Sequence, residues 1–125
     1  GDVYKRQDEN GHYALSASQL SHIPTAFICS RDSSAYQLLK ILKEKNIRVP
    51  EDVSITGFDD YILSSLCTPK ITTYSIDVAK LTDSCIWLLL DRIAQPDRPL
   101  RHIVISGKIM ERDSVRTLST NLEPR

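Results

Sequence analysis

Two short clusters hold the residues best equipped for chemistry. Asp59-Asp60 follows the β-branched run Val53–Gly57, and Arg31-Asp32 follows the apolar run Thr25–Cys29. A carboxylate at a strand end can accept two hydrogen bonds from vicinal hydroxyls, or it can bind Mg²⁺. Adjacent aspartates can equally do no more than cap the turn they sit in. Successive side chains diverge, so one aspartate is expected to face a ligand while the other holds the turn. Arg31 can present its planar guanidinium to a carboxylate or phosphate, or it can lie solvated. Asp32 reads as a helix cap rather than a ligand group.

Little else in the chain carries chemistry. His12, His22 and His102 are scattered, and none lies near a serine or cysteine in a nucleophile context. No GxSxG, HExxH or Walker-type loop occurs, and four glycines are too few for a nucleotide-cradling loop. Cys29, Cys67 and Cys85 form no CxxC or Cys/His cluster, which supports neither a zinc site nor a disulfide framework. They read as small hydrophobes in a reducing compartment. Catalysis, a metal and a cofactor therefore have no positive support. Trp87 and Leu88–Leu90 read as core or subunit contact.

The elements that must position the two clusters follow from hydrophobic spacing. Tyr13–Leu20 is a short helix candidate, and Pro24 then turns the chain to extended structure. Thr25–Cys29 has the length of a buried strand. Ala35, Leu38, Leu39 and Leu42 recur at helical spacing, so a helix runs to Asn46, capped by Asp32 or Ser33. Val53–Gly57 is a second strand, spaced for a parallel crossover rather than a hairpin. Tyr61–Leu66 allows one or two helical turns, and Thr68–Tyr74 is extended. The longest helix opens at Asp77 and runs to about Ala94, with Val78, Leu81, Cys85, Leu88 and Leu89 on one face. Arg101–Ser106 reads as a strand, and Gly107–Arg112 as extended too. Strands alternating with amphipathic helices predict an α/β fold with a mainly parallel, doubly wound sheet. Ligands of such sheets bind beyond the strands' carboxyl ends, where both polar clusters fall.

Composition narrows the function classes. The 125 residues carry 16 basic and 16 acidic side chains, a balance that argues against a nucleic-acid arm or polybasic membrane patch. The run Ile86–Leu90 falls far short of the ~20 apolar residues that span a bilayer. Gly1–Gln7 joins no pattern downstream and is expected to be a non-native leader, the natural protein continuing upstream.

From Pro24 onward the chain resembles the C-terminal part of a LacI/GalR-family transcriptional regulator. The matching pieces are PTAFICSRD (Pro24–Asp32), VPEDVSITGFDD (Val49–Asp60), TPKITTYSID (Thr68–Asp77) and IMERDSV (Ile109–Val115), in the family's order and spacing. The resemblance implies a partial periplasmic-binding-protein-like type I fold that binds a small effector between two lobes. It implies a cytoplasmic, homodimeric protein that meets operator DNA through a helix-turn-helix domain absent from these residues, with no enzyme activity, cofactor or membrane partner. It further implies that residues 8–68 belong to the C-terminal lobe and 69–76 to an interlobe linker. Residues 77–108 would return to the N-terminal lobe, and 109–125 would cross back and form the tail.

Carried over by position, Asp59 matches an effector-contacting carboxylate, and Arg31 a position that is often Asn in sugar-binding members. Ile76 falls where several members place a ligand-contacting Gln, and Val78 and Leu81 at apolar positions that can touch ligand. Arg31 brings a cation and Ile76 removes a hydrogen-bonding group. Together they point from a plain neutral sugar toward an effector with a carboxylate or phosphate. Two alternatives stand beside this reading. One is a periplasmic solute-binding protein of a sugar transporter. The other is a phosphotransfer or hydrolytic enzyme using Asp59/Asp60 with Mg²⁺, which lacks the expected companion residues. The long helix has an apolar face whose partner sheet is mostly missing, so the isolated chain is expected to aggregate or to be partly molten.

Overall fold

Helix α1, Asp32–Glu44, forms where the apolar spacing puts it, and its buried side chains Ala35, Leu38, Leu39 and Leu42 make one stripe. Its exit is a Schellman turn. Ile47 N–H donates to Leu42 C=O at 2.9 Å and Asn46 N–H to Lys43 C=O at 3.0 Å. That closure needs a left-handed residue, which Asn46 supplies with φ 58°. Ile47 then folds back against the core. Its entry differs from expectation. Neither Asp32 nor Ser33 caps the helix; the N-cap residue is Arg31, and its side chain makes no capping bond. Asp32 sits one residue further in, and its carboxylate is used elsewhere.

The computed structural model describes residues 23–117. The helix candidate Tyr13–Leu20 and the leader Gly1–Gln7 lie outside the described residues. Around α1 run β1 (Ala26–Ile28), β2 (Ser54–Phe58), α2 (Leu63–Leu66), β3 (Thr72–Ser75), α3 (Val78–Ala94) and β4 (Lys108–Met110). They build one four-stranded sheet in the order β1-β2-β3-β4. The first three strands are parallel, with Phe27 opposite Ile55 and Gly57 opposite Thr73. β4 closes the sheet antiparallel to β3, pairing Met110 with Thr73. The α/β, mainly parallel sheet is thus what the alternation of elements implies.

The core lies between α1 and one face of the sheet: Leu38, Leu39 and Leu42 meet Cys29, Val53, Ile55 and Ile71. Burying each such side chain contributes about 1.5–3 kcal/mol. The opposite face is open among the described residues. Ile28 is 91% exposed, and no residue of α3 is buried. Asp77 caps α3 by accepting from Lys80 N–H at 3.0 Å.

The expected strand Arg101–Ser106 is not one. Those residues are unpaired, with Val104 largely exposed, and the ladder begins at Lys108. Extended chain becomes a strand only where a neighbour's backbone groups are free to pair, and 101–106 meets none among the described residues.

Beyond β4 the chain stitches the sheet from its amino end. Ile55 N–H donates to Ser114 C=O at 2.8 Å, Ser114 Oγ donates to Ile55 C=O at 2.6 Å, and Thr72 N–H donates to Ser114 Oγ at 2.8 Å. One buried serine therefore bridges β2 and β3.

Candidate functional site: the turn after β2

The carboxyl ends of β1 and β2 carry Arg31-Asp32 and Asp59-Asp60 to the same edge of the sheet. Asp59 and Asp60 are both in left-handed backbone, with φ 96° and 55°. Non-glycine residues there cost about 1–2 kcal/mol each, so the turn persists only because its surroundings over-determine it.

Three consecutive backbone N–H groups are each taken by a different acceptor. Asp59 donates to Tyr74 C=O at 2.9 Å, Asp60 to Thr73 Oγ1 at 3.4 Å, and Tyr61 to Asp32 Oδ2 at 2.6 Å. Thr73 Oγ1 in turn donates to Asp32 Oδ1 at 2.7 Å. Asp32 is 1% exposed, so both its oxygens are spent inside the protein. It is neither cap nor ligand group but the buried tie between α1, β3 and the acidic turn. Gly57 makes room for it: a Cβ there would lie 2.0 Å from Asp32 Oδ1.

The two aspartates divide their work. Asp60 pairs with Arg112, whose Nη2 lies 2.5 Å from Asp60 Oδ1. The Arg112 guanidinium, helped by Ser75 and Ser64 hydroxyls against the cost of burial, holds the Asp60 carboxyl below its usual range. Asp59 is exposed and lines a depression of about 220 Å³ together with Arg31, Asp32, Ser33 and Tyr61. Closed ligand pockets run roughly 300–1,000 Å³, so this is the size of one wall rather than a whole site.

The structure thus brings Arg31 and Asp59 into one depression. Ile76, Val78 and Leu81 are not among its lining residues. Ile76 is half-buried between β3 and α3, while Val78 and Leu81 stand exposed on the first turn of α3. A second depression, about 330 Å³, lies beside them, lined by Ser75, Asp77, Ser106, Gly107 and Lys108. Sequence reasoning missed Tyr61, which had only its place beside the acidic pair to mark it. It also missed Arg112, whose role needed the pairing of β4 with β3 to become visible.

Chemically, the depression offers an exposed carboxylate, a guanidinium and two hydroxyls. That set suits a hydroxyl-rich molecule carrying negative charge. Among the described residues no group of three or more His, Cys, Asp or Glu could hold a metal ion, and no helix is long and apolar enough to cross a membrane. Cys67 is not among the lining residues, and burial pushes its thiol up.

The family described as periplasmic binding protein-like domain matches residues 2–115. The chain belongs to that family. Within it, the chain is 34% identical over 101 residues to the HTH-type transcriptional repressor PurR of Vibrio atlanticus, covering 81% of this chain and 30% of that one. A LacI family transcriptional regulator from Enterococcus faecium, with bound ribose, superposes with TM-score 0.78 at 27% identity over 94% of this chain and 44% of its own. A sugar-binding LacI-family regulator from Escherichia coli, complexed with phosphate, superposes with TM-score 0.61 at 30% identity, covering 73% and 32%. The chain therefore spans about 30% of the curated relative's length. The periplasmic-binding-protein-like fold and the LacI-type likeness agree with the resemblance carried by the four sequence pieces.

Proposed function

We propose that this periplasmic-binding-protein-like segment supplies one wall of the effector cleft of a LacI-type transcriptional regulator. The observation that carries the reading is the placement of Asp59 and Arg31 in one depression at the carboxyl ends of β1 and β2. An open wall of this kind gains affinity when a second lobe closes over it, and a ligand contacting both lobes shifts the open–closed balance. The N-terminal lobe would provide the other wall, and residues 69–76 would lie in the linker between the lobes. DNA would be met through a helix-turn-helix domain outside these residues, by a cytoplasmic homodimer.

The effector proposed is a sugar or related metabolite bearing a phosphate or carboxylate. Asp59 would accept from its hydroxyls, Arg31 would meet its anionic group, and Ile76, Val78 and Leu81 would contribute apolar contact. The ribose and phosphate bound by two structural relatives support that class. No residue is assigned a catalytic role. Asp60 is engaged by Arg112, which leaves Asp59 as a single exposed carboxylate and weighs against a paired-carboxylate Mg²⁺ site.

The test is calorimetric titration of the complete two-lobed protein with ribose and ribose 5-phosphate. Removing a charge-assisted contact costs about 1.5–3 kcal/mol, so Arg31→Ala is expected to weaken the phosphorylated sugar about tenfold or more. Equal affinity in wild type and Arg31→Ala would rule out the anionic effector.

A further inference from the structure

IMERDSV is a piece of the sequence to which the proposed cleft gives no work, yet its arginine reaches the acidic turn. We propose that Arg112 is a positioning residue for effector binding: by holding Asp60, its guanidinium fixes the left-handed turn that presents Asp59 to the cleft. The inference rests on the sensor reading above and names how its principal carboxylate is aimed.

The geometry of Arg112 is that of a clamp. Nη2 takes Asp60 Oδ1, while Nη1 donates to Ser64 Oγ at 2.8 Å and to Ile71 C=O at 2.9 Å. Its own backbone N–H donates to Thr72 Oγ1 at 2.9 Å. The guanidinium is thus tied to the start of β3 and to α2 at once, with its side chain only 15% exposed. The planar fork aims its donors at these acceptors in fixed directions, whereas an ammonium is a compact charge with three rotatable donors.

The turn needs that clamp. Of its three backbone bonds, the one from Asp60 is the longest, at 3.4 Å. Asp60 is also the second of two consecutive left-handed residues. Its carboxylate is the remaining handle by which the turn can be held, and Arg112 grips it most strongly, with the Ser64 and Ser75 hydroxyls beside it. Release of that handle lets Asp60 relax toward ordinary backbone, and the preceding peptide, which aims Asp59, moves with it. Binding groups must be held within about half an ångström to be effective, so such a shift weakens binding without touching ligand.

The experiment uses the complete two-lobed protein, with ribose and ribose 5-phosphate as probes and two readouts. One is hydrogen exchange at the amides of Asp59, Asp60 and Tyr61, which needs no ligand; the other is the calorimetric Kd. Arg112→Ala is expected to quicken exchange at those amides and to raise Kd, each about tenfold. Arg112→Lys restores part of both, and Asp60→Asn reproduces the effect with less disturbance to folding. Arg116→Ala is the structural control. It removes a tie to Glu51 C=O on the same C-terminal segment and lowers the melting temperature with neither readout moved.

Unchanged exchange at the three amides overturns the proposal, as does a Kd within twofold of wild type while stability falls. Exchange that quickens without loss of affinity overturns it too. Wild-type protein that binds neither probe sinks the sensor reading, and this role with it. Binding that is lost in Asp59→Asn but untouched in the Arg112 and Asp60 variants sinks this inference alone.

Discussion

Asp32 takes the Thr73 hydroxyl on Oδ1 and the Tyr61 backbone N–H on Oδ2, two acceptor oxygens where an amide has one. Asp32→Asn keeps the volume but leaves one buried donor unmatched, which costs about 1–3 kcal/mol. Urea unfolding of the complete protein is expected to show that loss; an unchanged midpoint would mean the tie is idle. Gly57→Ala drives a methyl into the same carboxylate and is expected to cost about 1–3 kcal/mol by overpacking. Asp60 adds a pH dependence with a definite sign. Its folded pKa lies below the ordinary value of 3.8 because Arg112 favours the charged form. The unfolded chain therefore binds the proton more readily, so this stabilisation is complete above about pH 4–5 and is lost as pH falls through the folded value. Urea midpoints at descending pH are expected to fall more steeply for wild type than for Asp60→Asn below pH ~4. Parallel curves would contradict the pair's role.

At the scale of elements, α1 shows how much local chemistry the sequence carries openly. Ala35, Leu38, Leu39 and Leu42 mark the helix and its buried face, and Asn46 marks where it ends. Leu38→Ala is expected to cost about 2–5 kcal/mol, read as a lower melting temperature, because Leu38 is 1% exposed at the centre of the core. The first three strands and α3 were equally legible from apolar runs and prolines. The helix cap was not, because Asp32 has a cap's address but a stronger claim from Thr73 and Tyr61, 41 and 29 residues away. The strand at 101–106 was misread for a related reason: β propensity is local, while a ladder depends on a neighbour. Arg31 and Asp59 could be placed together because both follow strands of one parallel sheet. The clamp from Arg112 could not, since its 52-residue reach to Asp60 leaves no periodicity in the chain.

At the scale of the whole molecule, the described residues cover the sheet with α1 on one face and leave the other open. Val78, Ile86, Leu89, Leu90 and Ile93 on α3 are each more than half exposed, as are Val104 and Ile109. Leaving such side chains in water forfeits about 1.5–3 kcal/mol each, comparable in sum with the ~5–15 kcal/mol that stabilises an entire domain. The 125-residue chain by itself is therefore expected to bind 8-anilinonaphthalene sulfonate and to melt without a sharp transition. A cooperative melt of a monomer would contradict that. In the two-lobed protein the same surface would be covered, and the open depression beneath Asp59 and Arg31 would become one side of a cleft. The measurement that tests this most directly is a crystal structure of the complete protein grown with ribose 5-phosphate. The account predicts an Asp59 carboxylate oxygen within about 2.6–3.2 Å of a sugar hydroxyl, with Arg31 on the phosphate. A bound sugar with Asp59 turned to solvent would contradict it.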